Sequence, residues 1–441
     1  MKKRSIAILL TLALVLSLCA VTAAAGEQAK GQTAEETAEE PLTAPETGEV
    51  IAAATIEPDA VGTVSFANLE GRMRANNLSI LTLDQSIEKL QDIDYKKVED
   101  DLRDGLNKLT SSQWNMEQYG GLVYNFSNVP IGNNPVIAQM AVSNMQQQYD
   151  ALKEQFDAVR DGKLQEDNAG LIRQLKNGQD QMVLAGESTY IALSALETQE
   201  DALQRQLSAM NRTVEEMELR YQMGQISALQ LQQAKAGRSQ LSSGLETLRM
   251  NIRNLKYQFE MLLGADQTGE IVLGPVPEVT EEQLAAMDVE KDLLTAKAKS
   301  YDLYAAAKTL EDAQEAYKDD ADEYGYNENK VEVRNYKRTW QAAQYTYNDT
   351  VQNYELKFRT LYAQVQDYKQ ILDAAKVSLE CEKTSCAASE LKFQQGTISQ
   401  NALLDARDSL KAAEEKVQTA ANDLLSSYNT YCWAVEHGVL N

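Results

Sequence analysis

One stretch, used twice, limits this chain more than any other feature. The first copy is Tyr221-Gln-Met-Gly224-Gln-Ile226-Ser227, with Leu231 and Ala234 beyond it. The second is Phe393-Gln-Gln-Gly396-Thr-Ile398-Ser399, with Leu403 and Ala406 at the same offsets. Each copy interrupts a long run of apolar residues that recur in alternating steps of four and three. Such steps are the a and d positions of a heptad and give an apolar seam along a helix. A 3.5-residue repeat implies left-handed supercoiling. The pattern stays in phase on both sides of each turn, so the chain reads as two long helical hairpins in an internal repeat.

The first arm is expected over about Leu171 to Met223, with Leu203, Leu207, Met210, Val214, Met217 and Tyr221 on its seam. The return arm carries Leu231, Ala234, Leu241, Leu245, Leu248, Ile252, Leu255, Phe259 and Leu262, broken once by Arg238, and ends at Gly264. The second arm starts near Val331 and runs through Tyr354, Phe358, Leu361, Val365, Leu372, Leu379 and Cys386 to Phe393. Its return uses Leu403, Ala406, Leu410, Ala413, Val417, Ala420 and Leu424, extended by Tyr431 and Ala434. Arms of this length reach about 60 to 90 Å at the helical rise per residue. One pair of such helices cannot hide its seams, so at least four must pack together.

The turn residues have physical reasons. Gly224 and Gly396 stand where a left-handed C-cap is needed, which glycine adopts without steric cost. Ser227 can cap the next helix, and Gln230 completes a capping box that Ala402 breaks in the second copy. Tyr221 with Ile226, and Phe393 with Ile398, can close an apolar contact over each turn. Two readings stay open: hairpin residues and nothing more, or a docking surface as well.

Residues 1–25 read as a secretory signal: Lys2, Lys3 and Arg4, an apolar Ile6 to Leu18, and Ala23-Ala24-Ala25 as cleavage site. Leu16-Ser17-Leu18-Cys19 gives a lipoprotein signal as the second reading, and an uncleaved anchor is the third. Residues 26–60, rich in Glu, Thr, Ala and Pro, cannot bury enough apolar surface to order themselves and read as an acidic linker. The first helical repeat is expected over 61–264, a connector over 265–280, and the second repeat over 281–441. Within the first, one helical run is expected from Leu83 to Gln118, a brief alternation at Leu122, Tyr124 and Phe126, a turn from Pro130 to Pro135, and an interruption at Gly162 and Gly170. Within the second, one helix is expected from Glu281 to Tyr317, then an exposed acidic loop from Asp319 to Asn329 around Gly325.

The totals exclude several classes. A formal net charge of −24 opposes nucleic acid, because phosphates are neutralised by Lys and Arg. It opposes an anionic membrane face equally. Beyond Cys19, the odd set Cys381, Cys386 and Cys432 gives no disulfide framework, and burial as small apolar residues is the favoured reading. The single histidine, His437, reads as a frayed-end residue, so no two-His metal site exists. No phosphate loop appears. No cofactor and no catalytic or metal-binding residue is expected, and the chain does not read as an enzyme. The many tyrosines between Tyr301 and Tyr368 read as packing, with a carbohydrate- or wall-binding face as the lesser alternative.

The aromatic-x-x-Gly-x-Ile-Ser turn in both copies, the heptads around it, Leu262-Leu263-Gly264 and Arg74-Ala-Asn76-Asn77-Leu78 resemble the TolC-like outer-membrane efflux family, from about Val64 to the C-terminus. The resemblance implies an all-α protomer of long antiparallel coiled-coil hairpins in two repeats, assembled as a trimer around a helical tunnel. It implies an exit duct for a tripartite pump or type I secretion system, with a membrane-fusion adaptor and an ABC-type transporter as partners. Tyr221, Gly224, Ile226 and Ser227, with Phe393, Gly396, Ile398 and Ser399, would lie at the adaptor-facing tips. Family members insert two membrane strands per repeat, each of about 9 to 11 alternating residues. Leu122 to Val129 is the best candidate here, and Asp319 to Tyr336 offers only Val331 and Val333. The expectation is therefore an exported envelope protein without a barrel of its own: outer-membrane by resemblance, wall-associated or extracellular without the barrel. The competing reading is a coiled-coil scaffold or spacer of the envelope with no transport.

Overall fold

The structure, a computed structural model, describes residues 59–60, 62–119, 122–124, 130–133 and 135–440. The expected signal and nearly all of the expected acidic linker lie outside the described residues, as do Phe126 and Val129 of the strand candidate.

The first repeat opens with β1 (Thr63–Val64), α1 (Phe66–Asn76) and α2 (Leu78–Gln91). Asn77 separates the two helices with an extended backbone, and its side chain caps α2 by accepting from the Ser79 and Ile80 amides. α3 (Tyr95–Tyr119) leads to a short antiparallel ribbon, β2 (Leu122–Tyr124) and β3 (Pro130–Asn133). α4 (Pro135–Arg160) returns along α3. α5 (Lys163–Gln222) and α6 (Ala228–Leu262) form the first long hairpin. β4 (Val272–Leu273) in the connector pairs in parallel with β1. The second repeat contains α7 (Glu281–Ala285), α8 (Val289–Lys299), α9 (Tyr301–Glu323), α10 (Val331–Gln394) and α11 (Gln400–His437).

α5 packs on α6, α11 packs on α10, and α5 packs on α11. The four long helices therefore form a layer in the order α6–α5–α11–α10, with α6 and α10 at its edges. α3 and α4 form a second antiparallel pair on the first repeat, and α9 lies against α10 in the corresponding place on the second. Two apolar cores hold the end away from the hairpin tips. One gathers Leu69, Met73, Val183, Tyr190, Leu193 and Phe259; the other gathers Phe358, Val365, Leu424 and Tyr431.

Five sequence expectations change. The run from Leu83 to Gln118 is broken, because α2 ends at Gln91 and Asp94 caps α3 through the Lys97 amide. Pro130–Asn133 is a strand rather than a turn, and Pro135 begins α4, where a missing N–H costs a helix nothing. Gly162, left-handed at φ 80°, separates α4 from α5, but Gly170 lies inside α5. Its missing side chain leaves room for the Tyr304 hydroxyl, which a Cβ would meet at 3.1 Å. The expected helix from Glu281 to Tyr317 is three helices, capped by Thr280, Asp288 and Ser300. The acidic stretch from Asp319 is not a loop over its whole length: α9 continues to Glu323, and only residues 324–330 turn.

Candidate functional site

Each long hairpin turns in the same way. At the first tip, the Gln225 amide donates to the Arg220 carbonyl at 2.8 Å and the Gly224 amide to Tyr221 at 2.9 Å. At the second, Thr397 donates to Lys392 at 2.9 Å and Gly396 to Phe393 at 2.8 Å. Both are Schellman motifs, and Gly224 and Gly396 are left-handed at φ 68° and 72°. Ser227 caps α6, with a complete capping box through Gln230, while Ser399 caps α11 through the Ala402 amide alone. The turn chemistry expected from the sequence is present at both tips.

Ile226 and Ile398 are half-buried in their turns, but Tyr221 is 45 % and Phe393 39 % exposed. Each aromatic residue therefore leaves a substantial part of its surface open to solvent at the tip. Leu219, Met223 and Leu229 are exposed beside Tyr221, and Leu391 beside Phe393. The seam pattern did not single these four out. One signal was available: residues 221–234 and 393–404 carry no charge in a chain that is 24 % charged. Ion pairs stand directly behind the tips, Lys235 to Glu218 at 2.7 Å and Arg407 to Glu390 at 2.8 Å. Each tip is thus a neutral, partly apolar cap on a charged shaft.

Between the hairpins, Arg205 of α5 reaches Glu415 and the Asp408 carbonyl of α11, and Arg212 reaches Asp408 and Asp405. The carboxylates around Arg212 push its guanidinium further up from its ordinary value. The open groove here, about 430 Å³, is lined by charges of both signs.

The edge helices differ from this charged middle. Along the outer face of α6, Leu229, Gln233, Ala236, Gln240, Ser243, Thr247, Met250, Asn254, Tyr257 and Met261 follow four-three steps, all exposed and none charged. α10 carries a similar exposed line through Leu356, Ala363, Ala374, Val377, Thr384 and Leu391, with one charge, Asp367, along it. The inward seam of α6 passes through Gly237, not Arg238. Met210 faces Gly237 across the hairpin, and Arg238 points to solvent.

At the opposite end, polar contacts tie the repeats together. Glu187 of α5 is 6 % exposed and accepts from Trp433 Nε1 at 2.5 Å and Asn429 Nδ2 at 2.7 Å. Burial raises its carboxyl above the ordinary value. His437, expected at a frayed end, is instead held in place: its ring lies 4.4 Å from that of Trp433, tilted by 31°, and it pairs with Asp180 at 3.3 Å. Gly438 and the buried Val439 fix the chain beyond it. Of the cysteines, Cys386 is buried and Cys432 half-buried, but Cys381 is exposed on α10. Among the described residues, no three His, Cys, Asp or Glu side chains come together as a metal site.

The sequence matches no protein-family model and no curated protein. Among solved structures, it is similar to CusC, described in terms of transmembrane channel formation, at a TM-score of 0.49 and 13 % identity over 84 % of this chain and 91 % of that one. It is similar to the Neisseria gonorrhoeae MtrE outer membrane channel in its open state, at a TM-score of 0.43 and 14 % identity over 85 % and 89 %. The outer membrane protein VceC of Vibrio cholerae gives 0.41 and 13 % over 82 % and 95 %.

Proposed function

We propose that this chain is the exported, TolC-like component of an efflux or secretion assembly, forming a helical duct or docking element. The observation that carries this reading is the pair of matched hairpin tips. Two Schellman turns, built by the same residues in two repeats, each end a charged shaft in a neutral cap with exposed apolar side chains. An exposed apolar cap at a hairpin end is unfavourable in water unless a partner covers it. The partner is a membrane-fusion adaptor, with an ABC-type transporter behind it. Tyr221, Gly224, Ile226, Ser227, Phe393, Gly396, Ile398 and Ser399 form the docking face together with Met223 and Leu229.

The uncharged edges of α6 and α10 support self-assembly. Each edge lacks a neighbour in the layer, so the α6 edge of one copy meets the α10 edge of the next. Such a head-to-tail contact closes into a ring when the rotation allows, and the family resemblance makes that ring a trimer. Helices of 60 and 64 residues give a wall about 90 Å tall. The protein works in the envelope without catalysis.

One observation favours the scaffold reading. The described strands are two to four residues long, and residues 324–330, the counterpart of the β2–β3 ribbon in the second repeat, join two helices. An export assay after deletion of the gene separates the two. Loss of export of a substrate handled by a co-encoded transporter supports the duct; unchanged export with altered envelope spacing leaves the scaffold.

A further inference from the structure

We propose that a cavity at the base of the second repeat, walled by α7, the start of α8 and the end of α11, binds a small alkylated ammonium ion. The site lies away from the hairpin tips and does not depend on the duct reading. The cavity measures about 130 Å³ and is lined chiefly by Met287, Asp292, Tyr428, Tyr431, Cys432 and Glu436. That is the liquid volume of about four waters. At the matching end of the first repeat, the connector folds onto α6. There the buried Glu260 accepts from the Thr268 hydroxyl and from the Gly269 and Ile271 amides.

Two carboxylates, Asp292 and Glu436, give the lining its charge, and none of the lining residues is basic. The other polar groups stay neutral. Burial raises the Tyr431 and Tyr428 phenols above their ordinary value, assisted by the hydrogen bond to Asp292 at the first and to Cys432 at the second. Burial also pushes the Cys432 thiol up to about 11, with the Tyr428 hydrogen bond opposing and Glu436 and Asp292 adding to the rise. The walls are therefore negative in sum and otherwise aromatic and sulfur-bearing. Phenol rings attract cations, and the Met287 and Cys432 sulfurs are soft and polarizable.

The cavity's hydrogen-bonding capacity is largely spent. Asp292 Oδ2 accepts from the Tyr431 hydroxyl at 2.5 Å and from the Asp288 amide at 3.0 Å, and the Tyr428 hydroxyl is hydrogen-bonded to Cys432. A primary ammonium brings three donors, each in need of an acceptor. A hard divalent ion needs about six oxygen ligands or more. An alkylated ammonium needs neither; negative potential and polarizable walls suffice. Glu281, Glu282 and Asp288, all exposed, flank the lining residues in the chain. Lys369 of α10 pairs with Glu281 at 3.0 Å and is not among the lining residues. This acidic rim opposes the phosphate of a lipid headgroup, so the occupant is a free cation.

The test is saturation-transfer NMR of the full-length protein with tetramethylammonium chloride, beside tert-butanol as an uncharged counterpart of similar shape. Wild type binds tetramethylammonium saturably, with a dissociation constant of about 1 mM, the scale for so few atoms. It does not bind tert-butanol saturably. Glu436→Gln and Tyr428→Leu each weaken binding about threefold. Circular dichroism stays unchanged, because Glu436 is exposed and Tyr428 only half-buried. Glu414→Gln, in the groove between the hairpins, binds like wild type. Choline displaces the probe, and phosphocholine does so more weakly. Four results overturn the proposal. The first is no saturable binding by wild type. The second is equal binding of tert-butanol, which would make the cavity an apolar dent. The third is binding indifferent to both substitutions, which would put the cation elsewhere on this acidic surface. The fourth is displacement by phosphocholine as readily as by choline, which would assign the site to a lipid headgroup.

Discussion

The Asn77 side-chain amide donates to the Leu262 carbonyl at 2.7 Å, tying the start of the first repeat to its end. The same side chain caps α2, and the residue is buried. Leu262 is the last residue of α6, where carbonyls lack helical partners. One side chain thus begins one helix and completes another.

Asn77→Ala removes both functions. The lost cap and the stranded carbonyl together cost about 2 to 3 kcal/mol. A urea titration of the purified protein measures this. A cost near zero would mean that the contact is incidental.

The left-handed glycines divide into two kinds. A Cβ on Gly264 would meet the Asn76 carbonyl oxygen at 2.1 Å, and one on Gly438 would meet the Lys299 and Ser300 backbone at 2.4 Å. Each repeat thus closes on the kink between its own early helices with a glycine in direct contact. Gly224 and Gly396 have nothing within 4 Å. Alanine at either tip costs about 1 kcal/mol, the left-handed penalty alone. Alanine at Gly264 or Gly438 adds overpacking, for about 2 to 4 kcal/mol. Four denaturation curves check the contrast.

The Asp180–His437 pair makes the base sensitive to pH. The Asp180 hydrogen bond holds the imidazole above its ordinary value, with nearby Glu70 helping and Arg74 opposing. A group with a raised folded pKa stabilises fully below its unfolded value of 6.5 and loses that contribution as pH rises through the folded one. Asp180, lowered by its hydrogen bonds to His437 and Arg74 against the opposing effect of burial, contributes above its unfolded 3.8 and loses that as pH falls through its lowered value. Glu187 is raised, so its contribution is greatest in acid and fades as pH rises. The three favour mild acid, between the Asp180 and His437 transitions. Thermal melts should fall from pH 6 to pH 9 by about 1 kcal/mol or less, given the partial exposure of His437. His437→Gln should flatten that slope.

What the sequence made legible was local. Heptad spacing, the turn glycines and the serine caps act within a few residues, and both hairpins follow from them. Two local features misled. Gly170 stays helical because Tyr304 fills the space beside it, and the acidic run after Asp319 keeps α9 going to Glu323. Gly237 hid in the α6 seam because a residue without a side chain leaves no apolar mark, and Arg238 took its place in the reading. Non-local contacts were illegible. Asn77 with Leu262, Glu187 with Trp433 and Asp180 with His437 join residues far apart in the chain. At the candidate site, the turn geometry was legible, but the partial exposure of Tyr221 and Phe393 was not, since periodicity assigns both to a seam.

Site-specific photo-cross-linking in cells from Met223 and Thr397 is the decisive experiment for docking at the tips: both positions are exposed, and the bond that the Thr397 hydroxyl makes to the Lys392 carbonyl is also made by its amide. Adducts are expected from both positions to one membrane-fusion adaptor, and none from Leu294 on α8. Cross-linking from neither tip in cells that express the co-encoded adaptor and transporter would contradict it.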